Sequence, residues 1–129
     1  MLTLFLTLPA LLAAHLKDET ISGYADPAAS YQLEAINDAP YPATATITFP
    51  AQGRIIGTAP CNHYSASQSA PYPWFEPGPI AATKRACPDL AAEAEFFAAL
   101  SRMTLVEVVG PHLLLTNDAD EIMAFRQYP

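Results

Sequence analysis

Thirteen prolines are spread through this chain of 129 residues, and they constrain its fold more than any other feature. Proline fixes φ and offers no N–H, so it breaks helices and enters sheets only at edges, strand ends and bulges. Helix is therefore limited to proline-free windows, and one of these reads convincingly as helix: Pro88–Met103, PDLAAEAEFFAALSRM. Pro88 suits the first helical position, and Asp89 and Glu93 favour the positive end of the dipole. Leu90, Phe97 and Leu100, with Phe96 and Met103 beside them, form an apolar stripe at helical spacing. Glu93 lies on that stripe, three and four residues before Phe96 and Phe97. A carboxylate there is expected to be partly buried and to need a donor.

The rest of the chain reads as short strands. Tyr31–Ile36 is followed by the turn residues Asn37 and Asp38. Ala43–Phe49 (ATATITF) alternates, with Ala43, Ala45, Ile47 and Phe49 on one face and Thr44, Thr46 and Thr48 on the other. A turn at Pro50–Gly53 sends the chain back as Arg54–Thr58, an antiparallel hairpin. The stretch Gly53–Tyr64 (GRIIGTAPCNHY) reads as a strand ending in a tight corner. His63–Ser69 is a polar edge strand or hairpin arm, and Ile80–Thr83 a short approach to Cys87. Leu105–Val109, His112–Thr116 and Ile122–Arg126 form a closing meander. The expected fold is mainly β (α+β): an antiparallel, barrel-like sheet of about seven or eight short strands with one packed helix over 88–103. One domain, residues 31–129, follows an extended lead-in over 15–30; nothing suggests a second domain or a repeat.

Met1–Ala14 (MLTLFLTLPALLAA) is almost wholly apolar and ends abruptly at His15-Leu16-Lys17-Asp18-Glu19. It is short for a membrane span, which takes about 20 residues, and fits a signal-peptide h-region with Ala14 last before the cut. No Lys or Arg precedes the run, so a structural N-terminal helix is the competing reading. No cysteine follows at the boundary to carry a lipid, and no membrane span is expected once the segment is removed. The net charge of −7, without a Lys/Arg cluster, argues against nucleic acid and anionic membrane surfaces. Cys61 and Cys87 each neighbour a proline at an element boundary. They would pair in an oxidising compartment or stand as buried thiols in the cytosol.

The motifs of catalysis are thin. Cys61 and His63 are two apart and would share a strand face, but a thiol nucleophile also needs an orienting group and an oxyanion site. His15, His63 and His112 have no metal-ligand spacing with one another or with the cysteines. There is no phosphate-cradling glycine loop and no G-x-S-x-G, and Asp118 and Asp120 lack the other ligands of a calcium loop. No enzyme activity, cofactor or metal is expected. The run Tyr72-Pro73-Trp74-Phe75 is either a contact surface on a stiff loop or a cap over an open end of the barrel.

In order along the chain stand Tyr31-Gln32-Leu33, Thr46-Ile47-Thr48-Phe49, Gly57-Thr58-Ala59-Pro60-Cys61-Asn62 and Thr83-Lys84-Arg85-Ala86-Cys87. Glu93 with Phe96, Phe97 and Leu100 comes next, then Leu113-Leu114-Leu115. In this order and spacing the blocks resemble the META domain, a family that includes the heat-inducible outer-membrane lipoproteins of bacteria. Two positions depart from its pattern: Tyr31 stands where tryptophan is usual, and Pro60 where glycine is usual. The resemblance implies a mainly antiparallel, barrel-like sheet packed by one helix, and brings no established catalytic residues. The reading is a non-enzymatic cell-envelope domain, periplasmic or secreted and monomeric, with a structural or protein-interaction role and an unknown envelope protein as partner. The alternative is a carrier of lipocalin-like shape for a small apolar ligand. Cys61 and Cys87 are expected within bonding distance because both close corners at one end of the barrel. Glu93 is expected to accept hydrogen bonds from Asn62 and the backbone of that corner.

Overall fold

The computed structural model describes residues 17–128; the Met1–Ala14 segment, with its expected cleavage, lies outside the described residues. Among the described residues there are nine strands and one α-helix. The strands are β1 (Ser30–Ile36), β2 (Ala39–Pro40), β3 (Thr46–Ile47), β4 (Gly53–Thr58), β5 (His63–Gln68), β6 (Ala81–Ala82), β7 (Leu105–Val109), β8 (His112–Thr116) and β9 (Ile122–Tyr128). The helix, α1, spans Leu90–Arg102 and lies between β6 and β7. All pairings are antiparallel. One sheet runs β2-β1-β9-β8-β7, with β3 also on β1, and the other runs β4-β5-β6. A bridge between Thr48 and Ile56 joins the sheets without closing them into a continuous barrel ladder.

Turn chemistry sets the registers. Asn37 and Asp38, at φ 51° and 67°, make a two-residue hairpin between Ile36 and Ala39. Two positive φ values in succession give a turn whose twist matches the strands it joins, and Asn and Asp tolerate that region. Pro40 then sits in a two-residue strand at the sheet edge, where a missing N–H costs no ladder bond.

The alternating run Ala43–Phe49 buries Ala45, Ile47 and Phe49 completely, but only Thr46–Ile47 enters a ladder with β1. Opposite β4 the ladder thins and side chains replace it. Thr58 N donates to Thr46 Oγ1 at 3.0 Å, the Thr46 and Thr58 hydroxyls meet at 2.9 Å, and Tyr64 Oη donates to the Thr46 carbonyl at 2.7 Å. Thr46 is therefore buried although it lies off the apolar face. Gly57 makes this crossing possible: a Cβ there would stand 2.2 Å from Thr46 O and 2.8 Å from the Tyr64 ring.

Between the sheets lies one core. Tyr31, Phe49, Phe75, Phe96, Phe125 and Leu113 are each under 2 % exposed. Each such side chain stabilises the fold by roughly 1.5–3 kcal/mol relative to exposure. The helix turns Glu93, Phe96, Ala99 and Leu100 into this core. Tyr64 meets Phe96 and Phe97 edge-on at 5.5 Å, and Tyr41 Oη donates to Ala92 O at 2.7 Å.

Two expectations are corrected here. The helix starts at Leu90 rather than Pro88, and Leu90, placed by the spacing on the apolar stripe, is 45 % exposed in the first turn, ahead of the buried Glu93, Phe96, Ala99 and Leu100. The lead-in is not extended throughout. Asp18 accepts from Thr20 N (2.8 Å), from Thr20 Oγ1 (2.5 Å) and from the Ser22 hydroxyl, organising a 3-10 turn at Ile21–Gly23. That turn inserts Ile21, 2 % exposed, into the core.

Candidate functional site

The corner between β4 and β5 gathers the residues that the sequence singles out. Ala59 N donates to Asn62 O at 2.7 Å, closing the Ala59–Asn62 turn. Cys61 is disulfide-bonded to Cys87, with their Cα atoms 5.5 Å apart, as expected from their places at two corners of one end. Asn62 uses its whole amide. Nδ2 donates to Glu93 Oε2 at 2.7 Å and to Arg85 O at 3.1 Å, while Oδ1 accepts from Arg85 N at 2.6 Å and Thr83 Oγ1 at 2.8 Å. The second oxygen of Glu93, Oε1, accepts from Cys61 N at 3.0 Å. Asn62 and Glu93 are 6 % and 5 % exposed. A buried carboxylate is stable only where donors replace water, and here both oxygens have one.

The corner is saturated. Among the described residues no buried side-chain nitrogen or oxygen lacks a partner. Cys61 is oxidised, so it presents no thiolate to the exposed His63 two residues on. Nearby hydroxyls are held protonated. Burial pushes the Tyr64 hydroxyl well above the usual phenol range. Burial, followed by the charges of Glu95, Glu93 and Asp89, does the same to Tyr41. Among the described residues, no three His, Cys, Asp or Glu side chains come together to hold a metal ion.

The second candidate, Tyr72-Pro73-Trp74-Phe75, is split by the structure. Phe75 is core, 2 % exposed, because its N–H donates to Thr104 O at 2.9 Å and draws the residue beneath the loop. Tyr72 is half-buried, stacked on Tyr24 at 4.2 Å, with its hydroxyl accepting from Val108 N at 3.1 Å. Trp74 is 58 % exposed. A shared surface with Trp74 and Phe75 both open is therefore corrected to Trp74, the one residue of the run that is exposed and large. The loop also masks the edge of β7, since Val106 N donates to Pro73 O at 2.8 Å; an open strand edge invites pairing with another chain.

Sequence reasoning missed what holds this loop. Gln68, 2 % exposed, accepts at Oε1 from Ala70 N (2.8 Å) and Glu76 N (3.0 Å), and donates from Nε2 to Ala70 O (3.2 Å). A lone glutamine in a Ser-rich strand carries no pattern that predicts this. Thr83 was visible as the first residue of the Thr-x-x-x-Cys block, but its bonds to Asn62 and to His63 N (3.2 Å) were not.

Two antiparallel sheets over one core, joined to a single helix by a buried carboxylate and, just before the helix, by a disulfide, define a β-rich domain with one packed helix. The chain belongs to the META domain family, whose model matches residues 27–128. Its fold is similar to that of a protein from Burkholderia xenovorans solved by NMR, with 23% identity, TM-score 0.61 and coverage of 91% of this chain and 87% of that one. A second NMR structure is similar at 19% identity and TM-score 0.59, over 78% of this chain and 89% of that one. At these identities the likeness concerns fold alone. No curated protein matches the chain.

Proposed function

We propose that this META domain works outside the cytoplasm as a non-enzymatic module of the cell envelope, periplasmic or secreted, with a structural or protein-interaction role. The observation that carries the reading is Trp74: the most exposed large hydrophobic side chain among the described residues, on a backbone tied to β7 and to Gln68. A rigid exposed aromatic is an effective anchor because little side-chain entropy remains to be lost on contact. The disulfide supports an oxidising compartment. Among the described residues no helix is long and apolar enough to cross a membrane.

Against a carrier of lipocalin-like shape stands the interior, where large aromatic and aliphatic side chains occupy the space between the sheets. Among the described residues, clefts lie outside this core. One of about 600 Å³ is lined by Gln32, Glu34, Tyr41, Arg126 and Tyr128, and one of about 240 Å³ beside the loop by Tyr72, Pro73, Leu105 and Leu114.

The test is a cross-linking pull-down from envelope extracts with the domain as bait, beside a W74A variant of unchanged circular dichroism. A partner captured by the native chain and lost with W74A is expected. Equal capture by both removes Trp74 as the contact. Recovery of the native protein from the cytosol with free thiols overturns the compartment.

A further inference from the structure

We propose that Glu93 and Asn62 are positioning residues for the Cys61–Cys87 bond: they close the corner in the reduced chain, so oxidation follows folding and reduction leaves the fold intact. Cys87 Sγ has only long contacts here, 3.4 Å from Asp89 N and 3.7 Å from Pro60 O. The short bonds that bring the two cysteines together run through the backbone and the side chains of Asn62 and Glu93. Cys61 is held through its own peptide N–H by Glu93 Oε1, and its neighbour Asn62 is held by Glu93 Oε2. On the other side, Asn62 grips Arg85 at both its N–H and its carbonyl, two residues before Cys87. Cys87 O then accepts from Leu90 N at 3.3 Å, joining it to the first turn of the helix that carries Glu93. The two cysteines thus sit on opposite sides of one hydrogen-bonded ring that runs from Cys61 through Glu93, α1, Cys87 and Arg85 to Asn62.

Such a ring raises the effective concentration of one thiol at the other, because the conformational entropy of bringing them together has already been lost. The chemistry is ordinary exchange. One cysteine thiolate attacks a low-molecular-weight disulfide such as oxidised glutathione, forming a mixed disulfide and releasing one glutathione thiolate. The second cysteine thiolate attacks the protein sulfur of that mixed disulfide and releases the other. Two electrons pass to the glutathione pair, and the two protein thiol protons go to solvent or to the released thiolates.

The effective concentration of the pair is measured by equilibrating the native chain and its E93A, N62A, E93Q and E121A variants in glutathione buffers, trapping thiols by alkylation and weighing the products. E93A and N62A should lower it at least about tenfold, since bonds to a charged acceptor exceed a factor of ten in equilibrium constant. That corresponds to a potential about 30 mV less negative. E93Q, which keeps one accepting oxygen, should fall between, and E121A, at the far end of the helix, should match the native chain. In a C61S/C87S variant the amide at position 61 should stay protected from hydrogen exchange. Equal effective concentrations in all chains, a fall in E121A matching that in N62A, or loss of protection at position 61 would each overturn the proposal. Where E93A does not fold, E93Q and N62A carry the comparison.

Discussion

At its N-terminal end α1 is fastened to the β4–β5 corner through the buried carboxylate of Glu93; at its C-terminal end it is fastened to the β8–β9 turn through an ion pair that faces solvent. In the second fastening Arg102 Nε donates to Glu121 Oε1 at 2.9 Å and Nη2 to Oε2 at 2.7 Å, a bidentate pair. Asn117 organises that turn as Asn62 organises the other. Its Nδ2 donates to Glu121 Oε1 (2.9 Å) and Arg102 O (3.2 Å), and its Oδ1 accepts from Ala119 N (3.0 Å) and Glu121 N (3.2 Å). The same motif, an asparagine amide gripping a glutamate and nearby backbone, thus occurs in dry and wet versions. Buried, each bond is costly to lose because no water replaces it; exposed, water and salt can substitute for most of it.

That contrast is broken most forcefully by Glu93→Ala. It strips acceptors from Cys61 N and Asn62 Nδ2 in a site closed to water. Each orphaned donor costs about 1–3 kcal/mol, so a loss of about 3 kcal/mol or more is expected in urea unfolding. Glu93→Gln should cost less, because one accepting oxygen remains. Equal and negligible losses from both variants would show that the corner does not depend on its carboxylate.

Next comes the disulfide, which closes a loop with a sequence separation of 26. In the chain-entropy model such a cross-link stabilises by about 3 kcal/mol. Cys61→Ser with Cys87→Ser should therefore unfold at lower urea but to the same folded spectrum, and added reductant should change only the native chain. A folded-state spectrum altered by the double substitution would mean that the bond, rather than the ring around it, shapes the corner.

How far these features could be read from sequence follows from how local their causes are. Glu93 was legible because helical spacing sets a carboxylate among Phe96, Phe97 and Leu100, and a buried charge must have donors. The positive-φ turn at Asn37-Asp38 was legible for the same local reason, since those residue types tolerate it. Phe75 was not. Its burial depends on Thr104 O, about thirty positions away in the chain, and an aromatic between prolines looks the same whether it points out or in. Nor was the fraying of Ala43–Phe49, because a strand's alternation reports its faces and says nothing of whether a neighbour lies beside it. Thr46 is buried by Tyr64 and Thr58 reaching across from the other sheet.

At the exposed end the effects should be smaller. Asn117→Ala removes the oxygen that accepts from the two backbone N–H groups of the turn as well as the link to Arg102 O, and partly exposed bonds of this kind are worth about 1 kcal/mol. Arg102→Ala removes only the solvent-facing pair and should be the milder change, shrinking further in high salt as screening replaces the partner. A larger loss from Arg102→Ala than from Asn117→Ala in matched thermal melts would mean that the ion pair, and not the turn, fastens this end.

The smallest and most specific effect is one of pH. The hydrogen bonds from Arg102, then from the Asn117 amide, hold Glu121 down to about 2, against an ordinary value of 4.5. A carboxyl whose pKa is lower folded than unfolded binds fewer protons in the native state, so it stabilises the fold when ionised. That contribution is complete above about pH 4.5 and is lost as pH falls towards 2. A Glu121→Gln variant has no such group. The difference in stability between the native chain and Glu121→Gln should therefore be constant from neutral pH down to about 5 and narrow between 4.5 and 2. Urea midpoints of the two proteins across that range make the measurement, with the Glu121 carboxyl carbon followed by NMR in parallel. A Glu121 titration near 4.5 in the folded chain would show that the pair is too well solvated to fasten anything, and the difference between the two ends of α1 would then be that between a clamp and a bare surface.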